Sequence, residues 1–137
     1  ALRKAFIAAG FPADLGRTLL LSVGDRDKAD AADFASAAAR DGFDLLATPG
    51  TAAALAAHGV LARMIRPEEA VALARSRNID VVVNTPTHGW RRDRPGFMLR
   101  RAASELNVPL LTSLETARAM LEAFAPATVT DLVPLGS

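Results

Sequence analysis

Five short apolar segments alternate with Ala-rich or amphipathic segments along this chain, and this alternation constrains the fold more than any other feature. The first segment, 18–23, is continuously apolar, as expected of a strand buried on both faces. Alternating strands and helices predict a mainly parallel sheet with right-handed crossovers and helices on both faces, which is a three-layer α/β sandwich. The predicted strands are 18–23, 43–47, 60–65, 79–84 and 108–111, and the predicted helices are 28–40, 51–58, 67–77, 97–106 and 113–124.

Capping and turn residues indicate where these elements begin and end. Asp27 and Ser113 are suitable amino-terminal caps, and Pro67 suits the first position of a helix. Gly59 ends a helix, and the preceding His58 is interpreted as a cap at that helix end.

The length of 137 residues corresponds to one domain, which is large enough to bury a core without disulfides. Glycines and a proline interrupt a short first helix, so 1–16 is interpreted as a lead-in helix and linker. The α/β domain is then 17–137, and its tail could add an edge strand at 128–133.

Composition excludes several classes of protein and site. The net charge of +1, from 16 basic and 15 acidic residues, does not indicate a nucleic-acid partner. Without cysteine, neither a disulfide framework nor a thiolate metal site can form, and neither His58 nor His88 has carboxylates at metal-ligand spacing. No apolar run approaches a membrane span and no signal peptide is recognisable, so the expected location is the cytoplasm.

Two predicted strands end in similar polar segments. Residues 48–51, Thr-Pro-Gly-Thr, follow strand 43–47, and residues 84–87, Asn-Thr-Pro-Thr, end strand 79–84. Ligands of parallel sheets bind beyond the carboxyl ends of the strands. With these two strands expected side by side, their ends predict a polar cup that suits a phosphate.

The first of these segments combines two hydroxyls with a helix start. Gly50 permits close approach of a ligand to the backbone, and Thr51 is expected to open a helix whose free N–H groups and dipole favour an anion. Alternatively, Thr48 to Thr51 form an ordinary strand-to-helix turn with Thr51 as the cap. The segment is not a P-loop, because the Gly-x-x-x-x-Gly-Lys pattern is absent.

Four further residues complete the candidate cup. Lys28 follows the first strand closely, so its ammonium group could meet a phosphate above the strand ends. Asn84, Thr85 and Thr87 carry amide and hydroxyl groups that suit a sugar or a phosphate. The alternatives are a solvated lysine at a helix start and ordinary turn chemistry.

One dense basic stretch follows the second polar segment. It could form the wall of an effector pocket or contact another domain, and the alternative is a solvated loop and helix start. Trp90 could stack on a base, and His88 could reach a ligand. The basic residues are Arg91, Arg92, Arg94, Arg100 and Arg101.

Taken in order, these segments resemble the methylglyoxal-synthase-like domain family. They most resemble the domain at the carboxyl end of the carbamoyl phosphate synthetase large subunit. The resemblance covers about residues 18–124. It rests on Leu20-Leu21-Ser22-Val23-x-Asp25-x-Asp27-Lys28, Gly42-Phe43-x-Leu45-x-Ala47-Thr48-x-Gly50-Thr51-Ala52, Gly59-Val60, Asn84-Thr85, and the stretch from Arg91-Arg92 to Arg100-Arg101 with Ala102-Ala103.

The resemblance implies a Rossmann-like domain whose phosphate pocket is an allosteric site for a nucleotide such as UMP or IMP. Such a domain would regulate carbamoyl phosphate synthesis for the pyrimidine and arginine pathways without catalysing a reaction itself. It would need no cofactor, because ATP, Mg²⁺ and K⁺ belong to the rest of the synthetase. Its partners would be the catalytic domains of the large subunit and, through them, a glutaminase small subunit, with no nucleic acid and no membrane.

The effector residues of the family carry over to this sequence in three groups. They are Lys28, Thr48, Gly50 and Thr51 for the effector phosphate, Asn84, Thr85 and Thr87 for the ribose-phosphate side, and Ser22 and Arg66 as possible further pocket residues.

Three departures from the family pattern bear on which effector would bind. Arg66 stands where a lysine is common, Pro86 replaces a threonine, and Pro49 stands where a histidine is frequent. The stretches 66–70 and 92–95 also lack the catalytic carboxylate and histidine motifs of free methylglyoxal synthases. A phosphate lyase, an inosine-monophosphate cyclohydrolase domain and an interaction domain that binds no ligand are the alternatives.

Overall fold

The computed structural model describes residues 2–86 and 94–126, with 94 and 95 described by their backbone only. A 3₁₀ turn at Asp25–Asp27 precedes α2. The helices and strands are α1 Leu2–Ala8, β1 Thr18–Ser22, α2 Lys28–Arg40, β2 Asp44–Ala47, α3 Pro49–Ala57, β3 Arg63–Met64, α4 Pro67–Arg75, β4 Val81–Asn84, α5 Arg94–Glu105, β5 Leu110–Leu111 and α6 Leu114–Ala123.

The strands form one five-stranded sheet in the order β3-β2-β1-β4-β5, and every neighbouring pair is parallel. The predicted five-stranded parallel sheet is therefore confirmed. The expectation that the second and fourth strands lie side by side is wrong, because β1 runs between them. The chain leaves β1 toward one edge of the sheet and later returns to its other side, so the carboxyl end of β1 is a topological switch point.

Helices cover both faces of the sheet, which confirms the three-layer sandwich. Neighbouring residues of a strand point to opposite faces, so Leu19 and Leu21 join one buried cluster and Leu20 joins the other. The first cluster includes side chains of α1, α2, α3 and α6, and the second includes side chains of α4 and α5. The central strands are thus buried on both faces, as their continuous apolar sequences predict.

The segment before β1 packs against the last described helix. The Phe6 and Phe11 rings meet edge to face with centroids 5.1 Å apart, and Phe11 stacks on Phe124 at 5.9 Å. Phe6 and Phe11 are both buried in the larger of the two clusters. Aromatic pairs at these separations stabilise a core beyond the area that they bury.

The edge strand β3 is shorter than the predicted strand 60–65. The N–H of Val60 donates to the Leu55 carbonyl (2.9 Å), so residue 60 closes the end of α3 and does not pair in the sheet. Gly59 has a φ of +77° in this closure, a conformation that glycine adopts without strain. His58 also lies at this helix end, as predicted, with Nδ1 3.0 Å from the Ala54 carbonyl oxygen.

Among the predicted amino-terminal caps, Asp27 and Ser113 occupy the cap positions of α2 and α6 as predicted, whereas Thr51 does not cap α3. Ser113 caps α6 by accepting a hydrogen bond from the Thr116 N–H (3.1 Å). Asp27 makes no such bond, because the 3₁₀ turn already leads the backbone into α2. Helix α3 begins at Pro49, so Thr48 and not Thr51 occupies the cap position.

The sequence also predicted that the chain has no membrane span and that its tail could add an edge strand. No helix within 2–86 and 94–126 is long and apolar enough to cross a membrane. The possible edge strand at 128–133 lies outside the described residues.

Close packing of Gly16 against Asp80 generates a stability prediction. The Asp80 carboxylate accepts a hydrogen bond from the Thr18 N–H (2.9 Å), and a Cβ at Gly16 would clash with that carboxylate. We expect Gly16→Ala to lower the free energy of unfolding by about 1–3 kcal/mol, as overpacking does, in urea denaturation. In an Asp80→Ala background the same change should cost clearly less, and equal costs in both backgrounds would contradict this explanation.

Candidate functional site

Five buried polar residues cluster at the carboxyl edge of the sheet, at the switch point. The register pairs Ser22 with Asn84 and pairs Leu21 with Ala47, so Thr48 follows directly beside Ser22 on the other side. Ser22 therefore lies between the two polar strand exits. The five residues are 2–9% exposed, and they are Ser22, Thr48, Thr51, Asn84 and Thr85.

Three of the hydroxyl groups are linked to one another. The Thr48 hydroxyl donates to the Ser22 Oγ at 2.9 Å and lies 3.4 Å from the Thr51 Oγ1. Buried hydroxyls need such partners, because an unsatisfied hydroxyl costs free energy when it leaves water. The ends of β1 and β2 and the first turn of α3 thereby form one connected unit.

The other hydrogen bonds of Thr51 and Thr85 hold the loop that follows β1. The Thr51 Oγ1 accepts the Val23 N–H at 3.0 Å, and the Thr85 Oγ1 accepts the Gly24 N–H at 2.9 Å. Each hydroxyl that accepts an N–H still has its own O–H to donate. Both threonines can therefore brace the loop and also donate a hydrogen bond toward a ligand.

The amino terminus of α3 opens onto this cluster. Its first intrahelical donor is the Ala52 N–H, which bonds to the Thr48 carbonyl at 2.8 Å. Pro49 has no N–H, so the Gly50 and Thr51 N–H groups are the donors at this helix end, where the dipole also favours an anion. Gly50 is exposed, whereas Thr51 is buried.

Lys28 adds a positive charge beside this helix end. Its Nζ would lie 3.4 Å from a Cβ placed on Gly50, so the ammonium group lies close to the start of α3. The same Nζ is 2.6 Å from the Asp25 Oδ1, and Asp25 itself is almost fully exposed. The hydrogen bond from Lys28 and the charge of its ammonium group lower the pKa of Asp25, which stays ionised at neutral pH.

On the opposite side of β1, Asn84 is held at both ends of its amide. The Arg100 Nη1 donates to the Asn84 Oδ1 at 2.6 Å, and the Asn84 Nδ2 donates to the Ser22 carbonyl at 2.9 Å. Since Arg100 belongs to α5, this contact connects a helix of the second face to the polar cluster.

Most of the residues predicted from the sequence lie at this one edge of the sheet. Arg66 is an exception, because it is exposed beyond the edge strand β3. Its backbone N–H donates to the Glu69 Oε1 (3.3 Å). Among the described hydrogen bonds, none joins the Arg66 side chain to the polar cluster. Thr87 lies outside the described residues, as do the basic and aromatic positions between 88 and 93. The predicted residues that the fold brings to this edge are Ser22, Lys28, Thr48, Gly50, Thr51, Asn84 and Thr85.

Three contributions were not predicted from the sequence. They are the Val23 and Gly24 amides as partners of the threonines, Asp25 as the partner of Lys28, and Arg100 as the partner of Asn84. A signal for the last contact exists, because Arg100 follows Leu99, which is buried on α5, and so borders the packed face of that helix. No group of three or more His, Asp or Glu side chains suited to a metal occurs in the described part of the chain.

Comparison with known proteins identifies the family. The sequence model of the MGS-like domain family matches residues 30–112, which is more than half of the chain. The chain belongs to the MGS-like domain family.

Its relatives include large chains of carbamoyl phosphate synthases. The chain is 42% identical over 125 residues to "Carbamoyl phosphate synthase large chain, C-terminal section" of Methanopyrus kandleri, which covers 88% of this chain and 23% of that protein. It is 39% identical over 129 residues to the carbamoyl phosphate synthase large chain of Thermomicrobium roseum, covering 90% of this chain and 12% of the relative. The chain therefore spans less than a quarter of the length of these relatives.

A solved structure shows the same fold. Methylglyoxal synthase from Elizabethkingia anophelis NUHP1 matches with a TM-score of 0.63 over 77% of this chain and 76% of the other. At 19% sequence identity, this likeness concerns the architecture only.

The hydrogen bond from Val23 to Thr51 can be tested by an isosteric substitution. Thr51→Val keeps the shape of the side chain but leaves the buried Val23 N–H without its acceptor, whereas Thr51→Ser keeps the oxygen. We expect Thr51→Val to be less stable than Thr51→Ser by about 1–3 kcal/mol in urea denaturation. Since Thr51→Ser also removes a buried methyl group, the direct check is the unsubstituted chain: Thr51→Val as stable as that chain would show that this hydrogen bond contributes nothing.

Proposed function

We propose that this domain binds the phosphate group of a nucleotide effector, such as UMP or IMP, and thereby regulates a carbamoyl phosphate synthase. The observation that carries the proposal is the convergence of three kinds of phosphate donor at one edge of the sheet. These are the N–H groups at the start of α3, the Lys28 ammonium beside them, and the buried hydroxyls of the strand ends.

Each kind of donor contributes differently to holding a phosphate. The Gly50 and Thr51 N–H groups fix its position, because they point along the helix axis at a place where the dipole favours negative charge. Lys28 supplies a point charge that can follow the phosphate as it binds. The Thr51 hydroxyl supplies a directional donor, and the Thr48 hydroxyl, which donates to the Ser22 Oγ in this structure, would supply a second donor by turning its proton toward the phosphate.

We assign the ribose of the effector to the end of β4, on the other side of β1 from Thr48. Asn84 ends β4 and Thr85 follows it, two strands away from the end of β2 that leads to Thr48, and both would contact the ribose-phosphate side of the effector. Thr87 stays a predicted contact. Because Arg66 is exposed, we assign it to the outer edge of the site and not to the buried cluster.

A phosphate lyase is the second candidate, and the start of α4 argues against it. The Glu69 carboxylate accepts the Arg66 N–H and so closes the first turn of α4 at the sheet edge. Removing a proton beside a carbonyl requires a base within hydrogen-bond reach of that proton. Glu69 is engaged as a helix cap next to the edge strand and is therefore not placed to act as that base.

The regulatory effect would operate by thermodynamic linkage. An effector that binds one state of the synthetase more tightly shifts the enzyme toward that state, typically by a coupling free energy of about 1–3 kcal/mol. The partners in this scheme are the catalytic domains of the large subunit, which use ATP with Mg²⁺ and K⁺, and the glutaminase small subunit. Regulation would serve pyrimidine and arginine synthesis in the cytoplasm.

Calorimetry of this chain with UMP, IMP, UTP and inorganic phosphate tests the binding proposal. We expect saturable binding of one nucleotide and a loss of about tenfold or more in affinity in Lys28→Ala and in Thr48→Ala, because each change removes a charged or directional donor. Lys4→Ala is the matched control, since Lys4 is exposed on α1 and is the other lysine of the chain.

Two results would contradict the proposal. Absence of binding by all four ligands would favour the interaction-domain alternative. Formation of methylglyoxal from dihydroxyacetone phosphate, above a protein-free control, would favour the lyase alternative.

The ion pair of Lys28 with Asp25 generates a second binding prediction. Asp25 competes with a bound phosphate for the same ammonium group, so Asp25→Asn should tighten nucleotide binding about two- to fivefold. Asp30→Asn removes the same charge from an exposed site on α2 and serves as the control. Equal effects of the two substitutions in calorimetry would mean that only net charge matters.

A further inference from the structure

The orientation of the Asn84 side chain is fixed from two sides, by the Ser22 carbonyl within the polar cluster and by Arg100 from α5. Asn84 is 2% exposed, and an amide of this shape can be rotated by half a turn, which exchanges its donor and its acceptor. The guanidinium group of Arg100 has only donors, so it selects the orientation in which Oδ1 faces α5. The Nδ2 group must then face the Ser22 carbonyl, to which it donates at 2.9 Å.

Ser22 transmits this contact to the rest of the cluster. Its carbonyl also accepts the Thr85 N–H at 3.2 Å, and its Oγ accepts the hydrogen bond from Thr48. The contacts thus run from α5 through Asn84 and Ser22 to the first turn of α3. If the Asn84 amide turned around, its Oδ1 would face the Ser22 carbonyl, and two acceptors would oppose each other.

We propose that Arg100 is a positioning residue of the effector site, acting through Asn84 and not by contact with the effector. The proposal rests on the function proposed above for the cup. A charge-assisted hydrogen bond of 2.6 Å in a partly buried position is strong enough to hold the amide in one orientation. Losing it would leave the buried Oδ1 without this donor, so that the Ser22 carbonyl alone would hold the amide in its orientation.

The neighbouring arginine provides a matched control. Arg101 has the same charge and the same helix, but its side chain is 68% exposed and pairs with Glu105 at 2.9 Å. A variant of Arg101 therefore reports the effect of losing one positive charge from α5 without altering the Asn84 amide.

The experiment compares Arg100→Gln with Arg101→Gln in this 137-residue chain. Two quantities are measured: the affinity for UMP by calorimetry, and the NMR signal of the Asn84 side-chain amide in the absence of ligand. We expect Arg100→Gln to shift that amide signal and to weaken UMP binding about tenfold, whereas Arg101→Gln changes neither. An unmoved Asn84 signal in Arg100→Gln would overturn the proposal.

A double-mutant cycle separates positioning from direct contact. If Arg100 acts through Asn84, then Arg100→Gln should weaken UMP binding little further in an Asn84→Ala background. Additive losses would overturn the proposal, because they would mean that Arg100 contacts the effector itself. Should Arg100→Gln fail to fold, Arg100→Lys replaces it, since lysine keeps the charge but lacks the planar donor group.

Calorimetry of the unsubstituted chain tests the proposed function, and the Asn84 amide signal tests the role of Arg100, so the two can fail separately. If the unsubstituted chain binds neither nucleotides nor phosphate, the effector assignment falls, and the Asn84 amide signal alone decides whether Arg100 positions this residue. A shift confined to Arg100→Gln would then support the positioning role, and no shift would overturn it.

Discussion

The register of β1 between β2 and β4 is the constraint on which the site depends. It places Ser22 directly beside Asn84 and next to Thr48, so that polar residues far apart in sequence share one buried cluster. A slip of one residue would turn Ser22 toward the opposite face and would also move the leucines of β1 from one buried cluster to the other, where they would not fit the packing. The apolar core on both faces of the sheet therefore specifies the geometry of the polar edge.

The polar cluster is held together before any ligand arrives. Thr51 and Thr85 anchor successive amides of the loop after β1, and that loop leads through a 3₁₀ turn to Lys28. Lys28 therefore follows a loop whose backbone is held in place, and its flexible side chain reaches the start of α3, the helix that contains Thr51. Such preorganisation lowers the ordering cost of binding, since fewer groups have to be immobilised when a phosphate binds.

Local patterns in the sequence predicted the strands, most of the helices and the polar residues at the strand exits, because apolar runs and turn residues act over short distances. The order of the strands depends on crossovers between distant segments, and the central position of β1 was therefore missed. Edge strand β3 is short because the Val60 N–H bonds to the end of α3. Whether this N–H pairs with the helix or with the sheet cannot be read from the apolar pattern of 60–65. The contact of Arg100 with Asn84 likewise requires α5 to lie against β4, so the place of Arg100 beside the packed face of α5 does not by itself identify its partner.

The backbone amides at the start of α3 report directly on the phosphate binding that we propose there. The measurement is an NMR titration of the isotope-labelled chain with UMP, following the Gly50 and Thr51 N–H signals. We expect these two signals to shift downfield and to saturate together, and we expect inorganic phosphate to move them in the same direction. Saturable shifts located elsewhere, such as along the groove between Phe11 and β5, with Gly50 and Thr51 unmoved, would contradict the proposal.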